Sequence, residues 1–110
     1  MKILIIGTGM YVTGRKTPGF GTIFPSIIEF QRENNIKNLE VVFVGKSASN
    51  LIASKRKVLQ SLKLSGVKIK TKFYSINYKK ILEKEKKINC AIVAVPDHLH
   101  YKAVKDCLDY

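Results

Sequence analysis

The sequence predicts an α/β fold: a doubly wound, three-layer parallel sheet of order 3-2-1-4, with helices on both faces and a fifth strand missing. Three observations carry this. Short runs with almost no charge, such as Ile3–Ile6 and Cys90–Val95, alternate with stretches of helical periodicity. Strands that are apolar on both sides are the habit of a parallel sheet, and parallel strands need right-handed helical crossovers. Finally, Gly7-Thr8-Gly9 follows directly on the first run, where such folds turn from strand into helix.

The elements follow in order. Lys2–Ile6 reads as a buried strand. Thr22–Asn34 reads as a helix, with Thr22 as its cap, Pro25 in its first turn and Ile23, Ile27 and Phe30 inward, Phe24 beside them. Leu39–Val44 is a second strand closed by Gly45. Ser49–Leu64 is a second helix with Leu51, Ile52, Val58, Leu59 and Leu62 at roughly helical spacing and Ser65-Gly66 as its stop. Val67–Tyr74 is a strand of another kind. Val67, Ile69, Thr71 and Phe73 face one way and Lys68, Lys70 and Lys72 the other, a pattern that guards an exposed edge. Asn77–Lys87 is a third helix with Ile81 and Leu82 inward, Cys90–Val95 a fourth strand, and His98–Leu108 a fourth helix.

The order 3-2-1-4 puts the lysine-striped strand at one edge and Cys90–Val95 at the other. That run has no charge, proline or bulge signal and is expected to have neighbours on both sides. The chain stops two residues after Leu108, where a fifth strand is expected. The expectation is therefore one domain over residues 1–110 that forms the N-terminal portion of a larger fold, or whose edge is covered by another chain. An assembly of like chains is expected for the same reason.

Composition narrows the function. Of 110 residues, 20 are Lys or Arg and 8 are Asp or Glu, a net charge of +12. Such a chain attracts phosphates, nucleotides, nucleic acid or acidic membranes without choosing among them. Nucleic acid is the weaker reading, because no helix-turn-helix, zinc motif or aromatic stacking platform accompanies the charge. No apolar run nears the ~20 residues that span a bilayer. Two cysteines and no secretion signal point to a reducing, cytoplasmic setting. Both cysteines, Cys90 and Cys107, are expected to be small core residues. His98 and His100, one residue apart, make a poor metal pair; they are expected to cap a helix or line a cofactor.

Gly7-Thr8-Gly9 has the place of the Rossmann-type dinucleotide fingerprint G-x-G-x-x-G/A. The first glycine makes the tight turn, the second lets backbone approach a pyrophosphate, and the helix offers unpaired amides. Val12 stands where the third small residue belongs, and the loop to Gly21 is long and carries Arg15 and Lys16. The alternatives are a tight turn with no ligand and a mononucleotide P-loop from Gly9 to Thr17, which Arg15 and Pro18-Gly19 disrupt. Folds that prefer NAD place an acid after the second strand. This chain has Gly45-Lys46-Ser47, so Lys46 and Ser47 are expected to meet a 2′-phosphate and NADP is favoured over NAD; the other reading is an ordinary strand end with a capping serine. Tyr11 and Phe20 either cover a cofactor or pack the loop.

The segment Ala94-Val95-Pro96-Asp97-His98-Leu99-His100-Tyr101 resembles the T-P-N-x-x-H-type segment of the glucose–fructose oxidoreductase, inositol dehydrogenase and MocA family (Gfo/Idh/MocA). The glycine turn is similar too, and the likeness runs over the whole chain. The resemblance implies an NAD(P)-binding domain of an oxidoreductase that acts by hydride transfer on a sugar, cyclitol or related carbonyl compound. It implies cofactor contacts from Gly7, Thr8, Gly9, Met10, Tyr11 and Val12, and from Val95, Pro96, Asp97 and His100 toward the nicotinamide. Asp97 stands where the family more often has Asn. The family's E-K-P motif, with its catalytic lysine, and its substrate domain are not in this chain, so the chain alone is expected to bind cofactor without turnover. The alternative is a stand-alone nucleotide-sensing or protein-interaction module that uses the edge of the fourth strand.

Overall fold

The sheet grows outward from its first strand. The computed structural model describes residues 1–109. Strand β1 (Lys2–Ile6) lies between β2 (Glu40–Val44) and β4 (Cys90–Val93), with β3 (Lys70–Tyr74) outside β2. All three pairings are parallel, in the order β3-β2-β1-β4. The predicted order is the observed one. The right-handed crossover rule and the apolar run Ile3–Ile6 in the central strand leave few other arrangements.

The connections are α1 (Met10–Thr13), α2 (Ile23–Asn34), α3 (Ala48–Ser65), α4 (Tyr78–Lys84) and α5 (Asp97–Asp109). On one face Ile3, Ile5, Val41 and Phe43 meet Val12, Phe24, Ile27, Ile28, Leu51 and Val58 from α1, α2 and α3. Phe43 is stacked on Phe73 at 4.8 Å between ring centroids and takes the edge of Phe24 at 5.6 Å. On the other face Leu4, Ile6, Val42 and Val44 meet Ile81 of α4, with Tyr78, Leu82 and Cys107 packed around them. Each fully buried aliphatic side chain contributes roughly 1.5–3 kcal/mol.

Several expected details shift. In α3 the buried stripe is Leu51, Ser54, Val58 and Ser61, while Ile52 and Leu59 are more than half exposed. Ile52 and Leu59 lie seven residues apart and form a second stripe turned to solvent; the small serines let the helix approach the sheet. In α2 Phe24, not Phe30, is in the core, and Gln31 is buried. Gln31 bonds Ile36 and the carbonyl of Lys68 at 2.8–3.2 Å, holding the α2–β2 turn against the approach to β3. Thr22 makes no side-chain cap; its backbone amide and hydroxyl donate to the carbonyl of Tyr11 instead. Strand β3 starts at Lys70 because Val67 is held in the helix-ending turn by the Ser65 hydroxyl. Helix α4 stops at Lys84.

Glu85 explains that stop. It is buried, and it accepts from the Lys2 ammonium at 2.9 Å and from the Tyr74 hydroxyl at 3.0 Å. Lys72 stands 3.5 Å from Glu85 and 3.7 Å from Glu40, and Lys2 stands 3.5 Å from Glu40. Lys72 is therefore part of a charge cluster as well as an edge guard. The Lys2 hydrogen bond holds the Glu85 carboxyl below the usual carboxylate range against the opposing effect of burial, and Glu85 raises the pKa of both Lys2 and Tyr74.

Strand β4 is a sheet edge, with Cys90 and Ala91 exposed. Cys90 is thus not the core residue expected. Cys107, in contact with the second core, is half-buried, and burial pushes its thiol up.

Candidate nucleotide cleft

All four strands end on one side, and a cleft of about 720 Å³ opens there. Such a crevice at the carboxyl ends of parallel strands, between the two directions of winding, is where open α/β sheets bind ligands. The turn after β1 forms its floor. Gly7 has φ +113°, and a Cβ there would stand 2.2 Å from the carbonyl oxygen of Ala94. That glycine is imposed by the packing of β1 against the end of β4. Gly9 is different. Its φ is −63°, and a Cβ would find nothing nearer than the same oxygen at 3.9 Å. No described protein atom requires glycine at 9, so the open space above it faces the cleft. The turn reading accounts for Gly7 alone.

Gly9 also opens α1; the Val12 amide donates to the Gly9 carbonyl at 3.1 Å, and the amides of Met10 and Tyr11 before it lack acceptors in their own helix. The helix is one turn long because Gly14 follows with φ +78°. Gly14 lies against Gly19 and Gly21, and Gly21 against the carbonyls of Met10 and Tyr11, so the loop from 14 to 21 folds back tightly on α1. Lys57 of α3 pins the loop by donating to the carbonyl of Gly19 at 2.7 Å and covering the Phe20 ring at 4.8 Å. Phe20 therefore packs the loop. Tyr11 stands at the cleft rim and is 74% exposed.

The turn after β2 supplies Lys46 and Ser47. Ser47 caps α3 by accepting from the amide of Asn50 at 3.2 Å. Its hydroxyl also contacts that of Ser49 at 3.2 Å. As a cap it stabilises α3 by about 1 kcal/mol. The turn after β4 supplies Val95 and Pro96, and one face of α5 adds Leu99, Lys102 and Ala103.

Of the residues expected at a cofactor, the cleft gathers Gly7, Thr8, Gly9, Met10, Tyr11, Lys46, Ser47, Val95 and Pro96. It does not gather Val12, Asp97 or His100. Val12 is on the buried, core-facing side of α1, Asp97 opens α5, and His98 and His100 are exposed. Asp97 at the first turn of α5 suits the positive end of the helix dipole. Sequence reasoning misses Arg15, Asn50, and the turn after β3, Asn77-Tyr78-Lys79. A rule exists for the last of these: the residues after every parallel strand converge on the same side.

The electrostatics of the cleft are one-sided. Arg15, Lys46, Lys79 and Lys102 line it, and among the described residues no carboxylate does. Lys79 and Lys102 lie 3.9 and 3.6 Å from Asp106, which sits behind the lining. Asp106 also accepts from the Tyr78 hydroxyl, a bond that holds its carboxyl below the usual range. Burial, then that same bond, push the Tyr78 hydroxyl up to about 12. Arg15 and Lys46 have no ion pair among the described residues. Among the described residues no group of three or more His, Cys, Asp or Glu stands where it could hold a metal ion. Among them, too, no helix is long and apolar enough to cross a membrane.

A scan of protein-family models and searches of curated proteins and of solved structures each find nothing that matches this chain.

Proposed function

We propose that this chain is a dinucleotide-binding module that favours NADP(H) over NAD(H). The observation that carries the reading is the pair Gly7 and Gly9: one glycine required by the turn, the other required by no described protein atom and opening onto a cleft lined by four cations and no described acid. In this reading Gly9 and the first amides of α1 receive the pyrophosphate, Lys46 and Ser47 meet the 2′-phosphate, and Val95 and Pro96 line the nicotinamide side. The chemistry served is hydride transfer to or from a sugar, cyclitol or related carbonyl compound. That part rests on the likeness of residues 94–101 to the Gfo/Idh/MocA segment. In that family the catalytic lysine lies in an E-K-P motif after the next strand, and the substrate site lies in a second domain.

The test is calorimetric titration of the chain with NADPH and NADH at near-physiological salt, with Gly9→Ala alongside. Dinucleotide binding that Gly9→Ala lowers at least tenfold, with the fold kept, supports the reading. Binding of neither dinucleotide at millimolar concentration overturns it.

A second reading, a protein-interaction module, is favoured by the free edge of β4. Its four residues Cys90–Val93 carry no charge, and an apolar groove of about 520 Å³ bordered by Met1, Ile23, Phe30, Cys90 and Ile92 lies beside it. Light scattering tests it: a strict monomer at high concentration argues against edge pairing with a second copy.

A further inference from the structure

The cleft does not end at Arg15. A second groove of about 340 Å³ begins there and runs between the loop from 14 to 21 and the outer side of α3. Arg15 lines both spaces. Lys16, Ser49, Arg56, Lys57 and Gln60 complete the polar lining of the groove, and again no carboxylate is present among the described residues. The walls are held in place: Lys57 ties the loop to α3 through Gly19 and Phe20. That bond occupies the Lys57 ammonium, whereas Arg15, Lys16 and Arg56 have no ion pair among the described residues. Three such cations converging beside a nucleotide-sized cleft raise the local anion concentration, and a guanidinium presents a fork that fits a phosphate.

The place of the junction suggests which phosphate. It lies beside the β2–α3 turn, next to Ser47 and Ser49. In sheets of this order the adenosine ribose lies at the end of the second strand. A phosphate on that ribose would point away from the pyrophosphate and toward Arg15. We infer that this groove is the far half of the nucleotide site, that it takes the phosphate carried on the adenosine ribose, and that Arg15 is the residue that selects for it. The inference rests on the dinucleotide reading for the pose of the ribose. The long glycine loop then has a role, which is to carry Arg15 from the end of α1 to the far side of the ribose. Lys46 meets the phosphate from the sheet side and Arg15 from the loop side.

The test uses two ligand pairs, NADPH with NADH and 2′,5′-ADP with 5′-AMP, each titrated into the wild-type chain, Arg15→Gln and Arg15→Lys. The expected result is that Arg15→Gln weakens NADPH and 2′,5′-ADP by about tenfold to a hundredfold and NADH and 5′-AMP by no more than about threefold, the share due to general attraction of anions. Arg15→Lys should recover only part of the loss, because a point charge does not replace the fork. The Arg15 side chain makes no ion pair among the described residues, so both variants should keep the fold, which circular dichroism checks. If NADH and NADPH bind the wild type equally and Arg15→Gln changes neither, the inference is overturned and the dinucleotide reading stands. If 2′,5′-ADP is preferred through Arg15 but the nicotinamide half adds no affinity, the inference stands and the dinucleotide reading falls. If none of the four binds, both fall.

Discussion

Charged side chains gather in two places in this molecule, and they are arranged in opposite ways. On the α4 side of the sheet Lys2, Lys72, Glu40 and Glu85 form a mutually paired cluster, with both acids largely out of solvent. Around the cleft Arg15 and Lys46 have no ion pair among the described residues, and the carboxylate paired with the other two lining cations, Asp106, lies behind them. In the first place the charge is consumed by the fold. In the second it is left over, and left-over charge of one sign around a concave site is what attracts a ligand. The net charge of +12 says nothing about this difference; pairing does.

The contrast can be broken at its hinge. Gly7→Ala places a Cβ against the Ala94 carbonyl and a side chain at φ +113°. It should destabilise the chain by about 3 kcal/mol or more, read as a fall in the urea midpoint. Gly9→Ala should leave stability within about 0.5 kcal/mol of wild type while lowering dinucleotide affinity. Equal stability loss in the two variants would refute the division of labour between the glycines.

Glu85→Gln should cost about 2 kcal/mol, because the charge is lost and the amide keeps one oxygen where Lys2 and Tyr74 use two, while part of the cluster stays solvated. Its pH dependence is specific. A carboxyl held below its ordinary value of 4.5 stabilises the fold above that pH and loses the contribution as pH falls through the folded value. Wild-type stability should therefore decline below about pH 5, and Glu85→Gln should flatten that limb. Lys2 has the opposite sign: raised above 10.5, it contributes below that pH and the contribution disappears in stronger base.

Lys46→Asp is the counterpart at the cleft. It should change stability by no more than about 0.5 kcal/mol, yet weaken NADPH at least tenfold relative to NADH. The smallest effect is expected at Ser54, whose buried hydroxyl has no hydrogen-bond partner among the described residues. Ser54→Ala should raise stability by up to about 1 kcal/mol without touching ligand affinity. A loss there would mean that the hydroxyl is satisfied in solution.

What can be read from the chain follows the range of the forces involved. The runs Ile3–Ile6, Val41–Val44 and Cys90–Val93 announce strands because each signal is local, and the crossover rule then orders them. The inward face of α3 is misleading in sequence because Ile52 and Leu59 repeat at a helical interval of their own, while Ser54 and Ser61, which are buried, look polar. Glu85 is not legible because its partner Lys2 is 83 residues away. At the site, the residues after β1, β2 and β4 are recognisable as glycine turn, strand end and Pro96 turn. Val12 and Asp97 are carried in by resemblance alone and His100 also as a histidine at a helix start, and none of the three lines the cleft. Arg15 is visible only as a cation in a long loop; the glycines that fold this loop back, Gly14 and Gly21, give it its place.

The position of β1 has a consequence in time. It is made before either neighbour, yet it ends between them, with Ile3 opposite Val41 on one side and Cys90 on the other. At a synthesis rate of roughly 5–20 residues per second, Ile3 waits about 4–17 seconds for the last partner to be made. Local helices form within about a microsecond, so α2 and α3 are available to shelter it long before β4 exists. A strand sealed from water in the finished molecule thus keeps at least one edge open until residues 90–93 are made.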